Sequence, residues 1–452
     1  MPNAETGFHH LHDLLGHHKK LALAVSGGSD STALMVLVAH WAKQNNRLDD
    51  FSVLSVDHTL RENSHKEANQ VCAWAKALGL ACQVLVWRHG EQLTGDKQLT
   101  GLQEKARAGR YRLMGQWCAD NEIDGIITAH NRDDQAETML MRLARGSGVD
   151  GLAAMKERSE LFGAVVYRPL LAVSRQTLQD ELRTAGHGWI DDPSNYNEKF
   201  ERVRVRGAMA AVKKAGIDVG NLNLSARRLM RASAALEHMS DDFMAKAVTV
   251  FNTGHCEVDR SAFEALPDEI ALRVLARLLE WAGGGDEPVR MAKIERLYGA
   301  IKNAGQKTGA KKYTEKYTLA GARIALRKSC LVIGREFGRI ETTIQADDQT
   351  GLQTSLQNGA MVWDNRFVFK KPHIAQPGWV QPYGLFIEDD DRQRPAQIPF
   401  FVACALPAFI EGASADEKVR KIIVPHLDFA DAGSVQLRSL PRGVMSAVAF
   451  AG

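Results

Sequence analysis

Residues 21–31 read LALAVSGGSDS, and the reading of this stretch decides the fold. Leu21 to Val25 is a short apolar run halted by glycines, which predicts a strand, and a helix is expected from near Asp30. Gly27 and Gly28 permit a tight turn whose amides converge, and the helix N-terminus behind them adds positive partial charge, so an anion of phosphate size fits there. The hydroxyls of Ser26 and Ser31 can donate further bonds, and Ser29 lies in the same turn. The stretch matches neither G-x-x-x-x-G-K-[ST] nor G-x-G-x-x-G, so it is neither a P-loop nor a dinucleotide fingerprint. Asp30 is the informative residue. A carboxylate beside phosphates is repulsive unless a divalent cation lies between them, which points to Mg2+ and a nucleoside triphosphate. The alternative reading is a Gly-Gly turn in which Ser29 or Asp30 merely caps a helix.

Outward from this stretch, FSVLSV at 51–56, CQVLVW at 82–87 and DGIITA at 124–129 are further strand-like runs alternating with segments of helix length. Such βαβα order predicts an α/β fold with a parallel sheet covered on both faces. After Pro193 and Asn195 the pattern turns helical, at 200–215, 223–250, 268–283 and 290–304, with Gly283, Gly284 and Gly285 breaking between the last two. From about 313 strand-like runs dominate, including 323–333 and 361–370.

The chain has 452 residues, 45% of them apolar, which at about 150 residues per domain predicts three soluble domains and excludes a disordered or fibrous protein. Its formal charge is only +3, yet residues 1–200 hold 22 Lys/Arg against 25 Asp/Glu, so the positive excess lies further on. No stretch approaches the roughly 20 apolar residues of a membrane span, and Leu21 to Val25 is too short for a signal sequence, so a cytoplasmic location is expected. Cys72, Cys82, Cys118, Cys256, Cys330 and Cys404 include no C-x-x-C pair and read as reduced thiols. His9, His10, His12, His17 and His18 have no Cys or carboxylate spaced to complete a metal site and read as a solvated first helix.

A second constellation follows the fourth strand: Thr128-Ala129-His130-Asn131-Arg132-Asp133-Asp134-Gln135-Ala136-Glu137-Thr138. At about 100° per residue His130, Asp134 and Glu137 fall within roughly 60° of one helix face. No base stands three or four residues beyond the acids, so no helical ion pair neutralises them. The helix dipole accounts for Asp133 alone. The group is therefore expected to await an external cation, a metal or an amine. Both motifs sit at the C-terminal ends of parallel strands, where open α/β sheets bind ligands.

With both motifs in hand, the sequence resembles a known family. SGGSDS after a first strand is similar to the signature of the PP-loop ATP pyrophosphatases, and residues 129–155, AHNRDDQAETMLMRLARGSGVDGLAAM, resemble the tRNA(Ile)-lysidine synthetases among them. Val56-Asp57-His58 with Leu60, Arg61 and Ser64, Ala106-Arg107 with Arg110-Tyr111, Arg168-Pro169-Leu170 and Asp191-Asp192-Pro193-Ser194-Asn195 extend the likeness over residues 21 to about 206. Val203 departs from it, standing where the family pattern has an asparagine. The C-terminal third resembles the family only through its basic, helical-then-β layout.

The resemblance implies a PP-loop ATP pyrophosphatase domain at 1–215, a helical tRNA-binding domain at 216–310 and a β-rich tRNA-recognition domain at 311–452. It implies ligation of free lysine to carbon-2 of the wobble cytidine of an isoleucine tRNA with a CAU anticodon, using ATP and Mg2+ and passing through an adenylated base. Ser26, Gly27, Gly28, Ser29, Asp30 and Ser31 would hold the polyphosphate, with Asp30 positioning the metal. Asp134 and Glu137 would hold the lysine, and His130 would orient it or take its proton. Arg107, Arg110, Arg202 and Arg206 are candidates for the lysine carboxylate, the phosphates or the RNA backbone. No stable protein partner is inferable beyond a homodimer. The alternatives are a PP-loop tRNA thiolation enzyme, which usually needs a close cysteine pair, and a nucleotide- or RNA-binding module without turnover.

Two stretches suit a polyanion. Residues 199–231 carry nine Lys/Arg against Glu201 and Asp218, and residues 302–339 carry ten against Glu315 and Glu336, with Tyr313 and Tyr317 interleaved.

Overall fold

The computed structural model describes residues 8–59, 64–87, 102–161, 163–191, 201–285, 289–306, 316–341, 344–346, 356–357, 360–369, 378–385, 398–411, 421–424 and 435–437. Leu60, Arg61, Asp192, Pro193, Ser194, Asn195, Tyr313 and Glu315, named above, lie outside the described residues, as do Lys199, Lys307, Lys311 and Lys312 of the two basic stretches.

Strands and helices alternate as α1 (His9–His17), β1 (Leu21–Ala24), α2 (Ser29–Gln44), β2 (Phe51–Asp57), α3 (Ser64–Ala77), β3 (Ala81–Val86), α4 (Leu102–Asp120), β4 (Ile126–Ile127), α5 (Arg132–Ala144), α6 (Val149–Leu152), β5 (Arg158–Leu161), β6 (Ala164–Tyr167), α7 (Arg175–Thr184), α8 (Glu201–Lys214) and α9 (Val219–Ala247). Six strands form one sheet in the order β3-β2-β1-β4-β6-β5, parallel except where β5 pairs with β6. Both faces of β1 are covered. Leu21 and Leu23 join Leu34, Met35 and Val38 of α2 in one core, while Ala22 joins Tyr111 and Met114 of α4 in another. An inner parallel strand needs no polar face, which is why LALAV is unbroken apolar sequence.

From β1 the chain moves outward through β2 and β3, then returns to β4 on the other side of β1. This reversal opens a crevice at the carboxyl ends of β1 and β4, where both motifs begin. DGIITA gives only two strand residues, although ladder bonding extends further: Gly125 carbonyl accepts from Ala22 N at 2.9 Å and Thr128 N donates to Tyr167 O at 2.9 Å.

The chain divides into two compact units, residues 1–233 and 234–452, the boundary falling within α9. In the second unit, β7 (Val248–Phe251) and β8 (His255–Asp259) precede α10 (Arg260–Glu264), α11 (Asp268–Gly283), α12 (Met291–Gln306), β9 (Lys316–Leu319), β10 (Ala322–Leu326) and β11 (Cys330–Arg335). These strands form an antiparallel sheet, β7-β8-β11-β10-β9, so residues on both sides of 310 share one sheet. The helix expected to reach residue 250 ends at Ala247 because Val248 and Val250 are buried alternately with Thr249 outward, the period of a strand. Runs 323–333 and 361–370 each break into two strands. The second gives β14 and β15, within a set comprising β12 (Ile344–Ala346), β13 (Leu356–Gln357), β14 (Ala360–Trp363), β15 (Phe367–Phe369), β16 (Gly378–Pro382), β17 (Pro407–Glu411), β18 (Lys421–Ile423) and β19 (Val435–Leu437). These make two four-stranded antiparallel sheets.

The reading of all six cysteines as reduced is corrected for one pair: Cys72 of α3 and Cys82 of β3 are joined in a disulfide with their Cα atoms 5.3 Å apart. Gly79, at φ +83°, turns the chain back so that two residues ten apart in sequence face each other. Cys118, Cys256, Cys330 and Cys404 are free thiols. No helix among the described residues is long and apolar enough to cross a membrane.

Candidate active site

The turn after β1 is held by its own backbone and hydroxyls. Ser31 Oγ donates to Gly28 O at 3.1 Å and accepts from Ser26 N at 3.2 Å, and Thr32 Oγ1 donates to Gly27 O at 3.0 Å. Gly27 adopts φ +90°, and a Cβ there would lie 2.7 Å from Ile190 Cδ1, whose own amide donates to Gly27 O at 2.9 Å. The N-cap of α2 is Gly28, not Ser29 or Asp30, and no side chain caps it. The first amides of α2 are thus left to a ligand or to water, as an anion site requires.

The second motif opens with Asn131 as the N-cap of α5. Asp134 N donates to Asn131 Oδ1 at 3.0 Å and Asn131 N donates to Asp134 Oδ2 at 3.1 Å, a reciprocal capping box. The buried Asn131 also donates from Nδ2 to Asp30 Oδ2 at 2.9 Å, tying the second motif to the first. Asp133 accepts from the backbone amide of Arg175 at 2.8 Å and so holds the start of α7.

The acids, which have no base on their own helix, are met by arginines from other helices. Arg175 places Nε 3.2 Å from Asp30 Oδ2, Nη2 2.8 Å from Asp134 Oδ1 and Nη1 3.5 Å from Glu137 Oε1. Arg202 Nε donates to Glu137 Oε2 at 2.7 Å, and its Nη2 lies 2.8 Å from Asp134 Oδ1 as an ion pair outside hydrogen-bond alignment. Arg206 grips Glu137 with Nε to Oε1 at 2.8 Å and Nη2 to Oε2 at 3.3 Å. Burial pushes the Glu137 carboxyl up, but the Arg206 and Arg202 guanidiniums outweigh it and hold the group below its ordinary range. Their bases come from other helices, 38 to 69 residues on, where a search along α5 cannot see them.

His130 stands beside this cluster with Nδ1 2.8 Å from Thr128 Oγ1. Thr128 Oγ1 also lies 3.3 Å from Tyr167 O, so the hydroxyl links the ring to the backbone of β6. Burial lowers the His130 pKa well below its ordinary value, and Arg107, Arg168, Arg202 and Arg110 lower it further.

Asp30, Asp134, Glu137, Arg202 and Arg206 thus meet in one network. Arg107 and Arg110 are not among its contacts: Arg107 lies over the Tyr111 ring at 5.2 Å, and Arg110 Nη2 is 3.0 Å from His58 Nε2. Burial lowers the Arg110 pKa, and its Nε has no hydrogen-bond partner among the described residues. Arg175 was missed by sequence reading. Its only local sign is Ser174, whose hydroxyl accepts from Thr177 N at 3.0 Å as the N-cap of α7.

A parallel sheet with an uncapped Gly-Gly turn at its switch point defines a PP-loop nucleotide-binding protein, and the family model of the PP-loop domain matches residues 2–212. A tRNA(Ile)-lysidine synthase of Ruegeria pomeroyi is 34% identical over 87% of this chain and 87% of its own length, and one of Bradyrhizobium sp. strain BTAi1 is 40% identical over 69% and 89%. Among solved structures, the U34-tRNA thiolase NcsA of Methanococcus maripaludis aligns over 50% of this chain and 78% of its own at 16% identity, with a TM-score of 0.42. The chain belongs to the tRNA(Ile)-lysidine synthase family, whose PP-loop domain binds ATP.

Proposed function

We propose that this enzyme joins free lysine to carbon-2 of the wobble cytidine of a CAU-anticodon isoleucine tRNA in two steps. In the first, the carbon-2 carbonyl oxygen attacks the α-phosphorus of ATP and pyrophosphate leaves. In the second, the ε-amine of lysine attacks carbon-2, AMP departs with the oxygen, and the amine loses a proton. The observation that carries the reading is the placement of an acid cluster, Asp30 with Asp134 and Glu137, at the mouth of an uncapped anion-binding turn.

The roles follow from the contacts. Residues Ser26 to Ser31 offer amides and hydroxyls to the polyphosphate. Asp30 is a partly exposed carboxylate whose Oδ1 takes only a Ser29 hydroxyl at 3.3 Å. No group of three or more His, Cys, Asp or Glu able to hold a metal occurs among the described residues, which suits Mg2+, an ion commonly bound by one or two carboxylates plus substrate phosphates. Held there, it would neutralise charge on the phosphates. Asp134 and Glu137 bind the ammonium of lysine, and His130, kept neutral by burial and the arginines around it, orients the lysine or takes its proton. Arg202 and Arg206 remain candidates for the lysine carboxylate or the RNA backbone, and Arg107 and Arg110 for phosphates. The basic stretches at 199–231 and 302–339, each crossing one of the boundaries drawn at 215 and 310, serve tRNA docking.

The test supplies ATP, Mg2+, radiolabelled lysine and a CAU-anticodon transcript. Label on the tRNA that depends on both ATP and lysine supports the reading, and sulfur incorporation in its place would support thiolation.

A further inference from the structure

We infer that Arg175 couples the two small-molecule sites, so that lysine binds well only once nucleotide and metal have drawn this guanidinium away from the acids. The inference rests on the proposal that lysine is the second substrate. Arg175 contacts Asp30 at the nucleotide turn and also Asp134 and Glu137 at the acid pair. In the network described above it is the base that bridges both places. Its guanidinium occupies the position that an ammonium would take, with its closest contact, 2.8 Å, to Asp134.

Arrival of phosphates and a divalent cation changes the balance at Asp30. A cation on the Asp30 carboxylate repels the Nε that now lies 3.2 Å from Oδ2, and phosphate oxygens offer the fork a stronger bidentate partner than three shared acids do. Once Arg175 moves, Asp134 Oδ1 loses its aligned donor, because Arg202 Nη2 sits near that oxygen without hydrogen-bond alignment. Glu137 is still held by Arg202 and Arg206, so the vacancy is confined to the side of the acids that faces Asp30. An amine entering there lies next to the phosphate to be displaced. Such coupling is reciprocal: lysine must tighten nucleotide by the same factor. It would also keep the chain from holding lysine when no adenylation can follow.

The experiment measures lysine binding to the full chain by calorimetry, with and without Mg2+ and α,β-methylene-ATP, whose α–β bond cannot be cleaved. In the wild type the lysine Kd is expected to fall at least tenfold when nucleotide is present, within the usual range of coupling. In Arg175→Gln, lysine alone should bind tighter than to the wild type, and the nucleotide effect should shrink to below threefold. Arg175→Lys should give an intermediate ratio, since one point charge cannot bridge three acids. Should the Gln variant fail to fold, the ratio in the Lys variant decides. A wild-type ratio near one, or a ratio unchanged in the variants, overturns the role of Arg175 while leaving the lysine reading standing. Absence of lysine binding to the wild type under every condition overturns both. A merely structural role for Arg175 would lower the melting temperature without changing the ratio.

Discussion

His130 takes its chemistry from its burial and a ring of arginines. Thr128 holds the ring through Nδ1, and burial together with Arg107, Arg168, Arg202 and Arg110 keeps it neutral. As pH falls below the unfolded value of about 6.5, the unfolded chain takes up a proton that the folded chain refuses. Stability present above pH 6.5 is therefore lost on the way down, with a slope of at most about 1.4 kcal/mol per pH unit from this group. The imidazole resonances of His130 should show the neutral ring from pH 8 to 6, and titration near 6.5 would show that burial and the arginines do not hold it neutral. Glu137 provides the second test at this scale. Glu137→Ala leaves Arg206 without its acid and Arg202 with only its Asp134 ion pair, at a cost of about 1–3 kcal/mol, moderated because both guanidiniums are partly solvated. The lysine KM should rise at least tenfold and the ATP KM less than threefold. The reverse pattern would make the acid a metal ligand.

Among the elements, the turn between β1 and α2 shows how two adjacent glycines differ. Gly27 needs φ +90° and lies against Ile190, whereas Gly28 has φ −67° with only Ser26 Oγ at 3.9 Å from the position of an added Cβ. Gly27→Ala should cost about 1–3 kcal/mol from backbone strain and the displaced Ile190, and should weaken ATP binding. Gly28→Ala should leave the melting temperature nearly unchanged. Equal losses in thermal melts would mean that the turn is not held by Ile190. Helix α8 presents the opposite case: it has no fully buried residue, and beside the apolar contact of Met209 with the cluster of Ala136 and Met139 it meets α5 through Arg202 and Arg206, with the Arg145–Glu201 pair alongside. An amphipathic pattern locates such a helix, but says nothing of what its charges hold.

Over the whole chain, two features extend beyond single elements. The Cys72–Cys82 disulfide closes a short loop between α3 and the edge strand β3. Its reduction should remove about 2–3 kcal/mol by the loop-entropy estimate. Melting temperatures with and without dithiothreitol check this, together with alkylation of the denatured chain, which should label four thiols before reduction and six after. Six labelled thiols without reductant would sink the assignment. The segregated charge gives the other prediction. Replacing Lys307, Lys311, Lys312 and Lys316 by Glu should raise the tRNA KM and flatten its salt dependence, each lost phosphate contact lowering the slope of log K against log salt by up to about one unit. ATP binding should be unaffected, and an unaltered tRNA affinity would make this stretch ordinary solvated surface.

Apolar period and glycine placement act over a few residues, so the order of β1 to β4 and the helices between them was legible in the sequence, whereas β5 and β6 were not read from it. The sequence also put Asp134 and Glu137 on one face of α5, because helical geometry is local, whereas His130, expected on the same face, precedes the Asn131 N-cap and lies outside the helix. What only the tertiary structure decided is which groups those residues meet. Arg175 reaches Asp30 across 145 residues, Asn131 reaches it across 101, and Cys72 finds Cys82 because a turn at Gly79 brings α3 beside β3. The short β7–β8 hairpin was hidden for a related reason: four residues of β-type sequence directly follow a 29-residue helix, and only pairing of β7 with β8, and of β8 with β11, marks them as sheet. Periodicity records which side of an element is buried. Ion-pair partners and strand neighbours are chosen by proximity in space, and the sequence carries no local record of that.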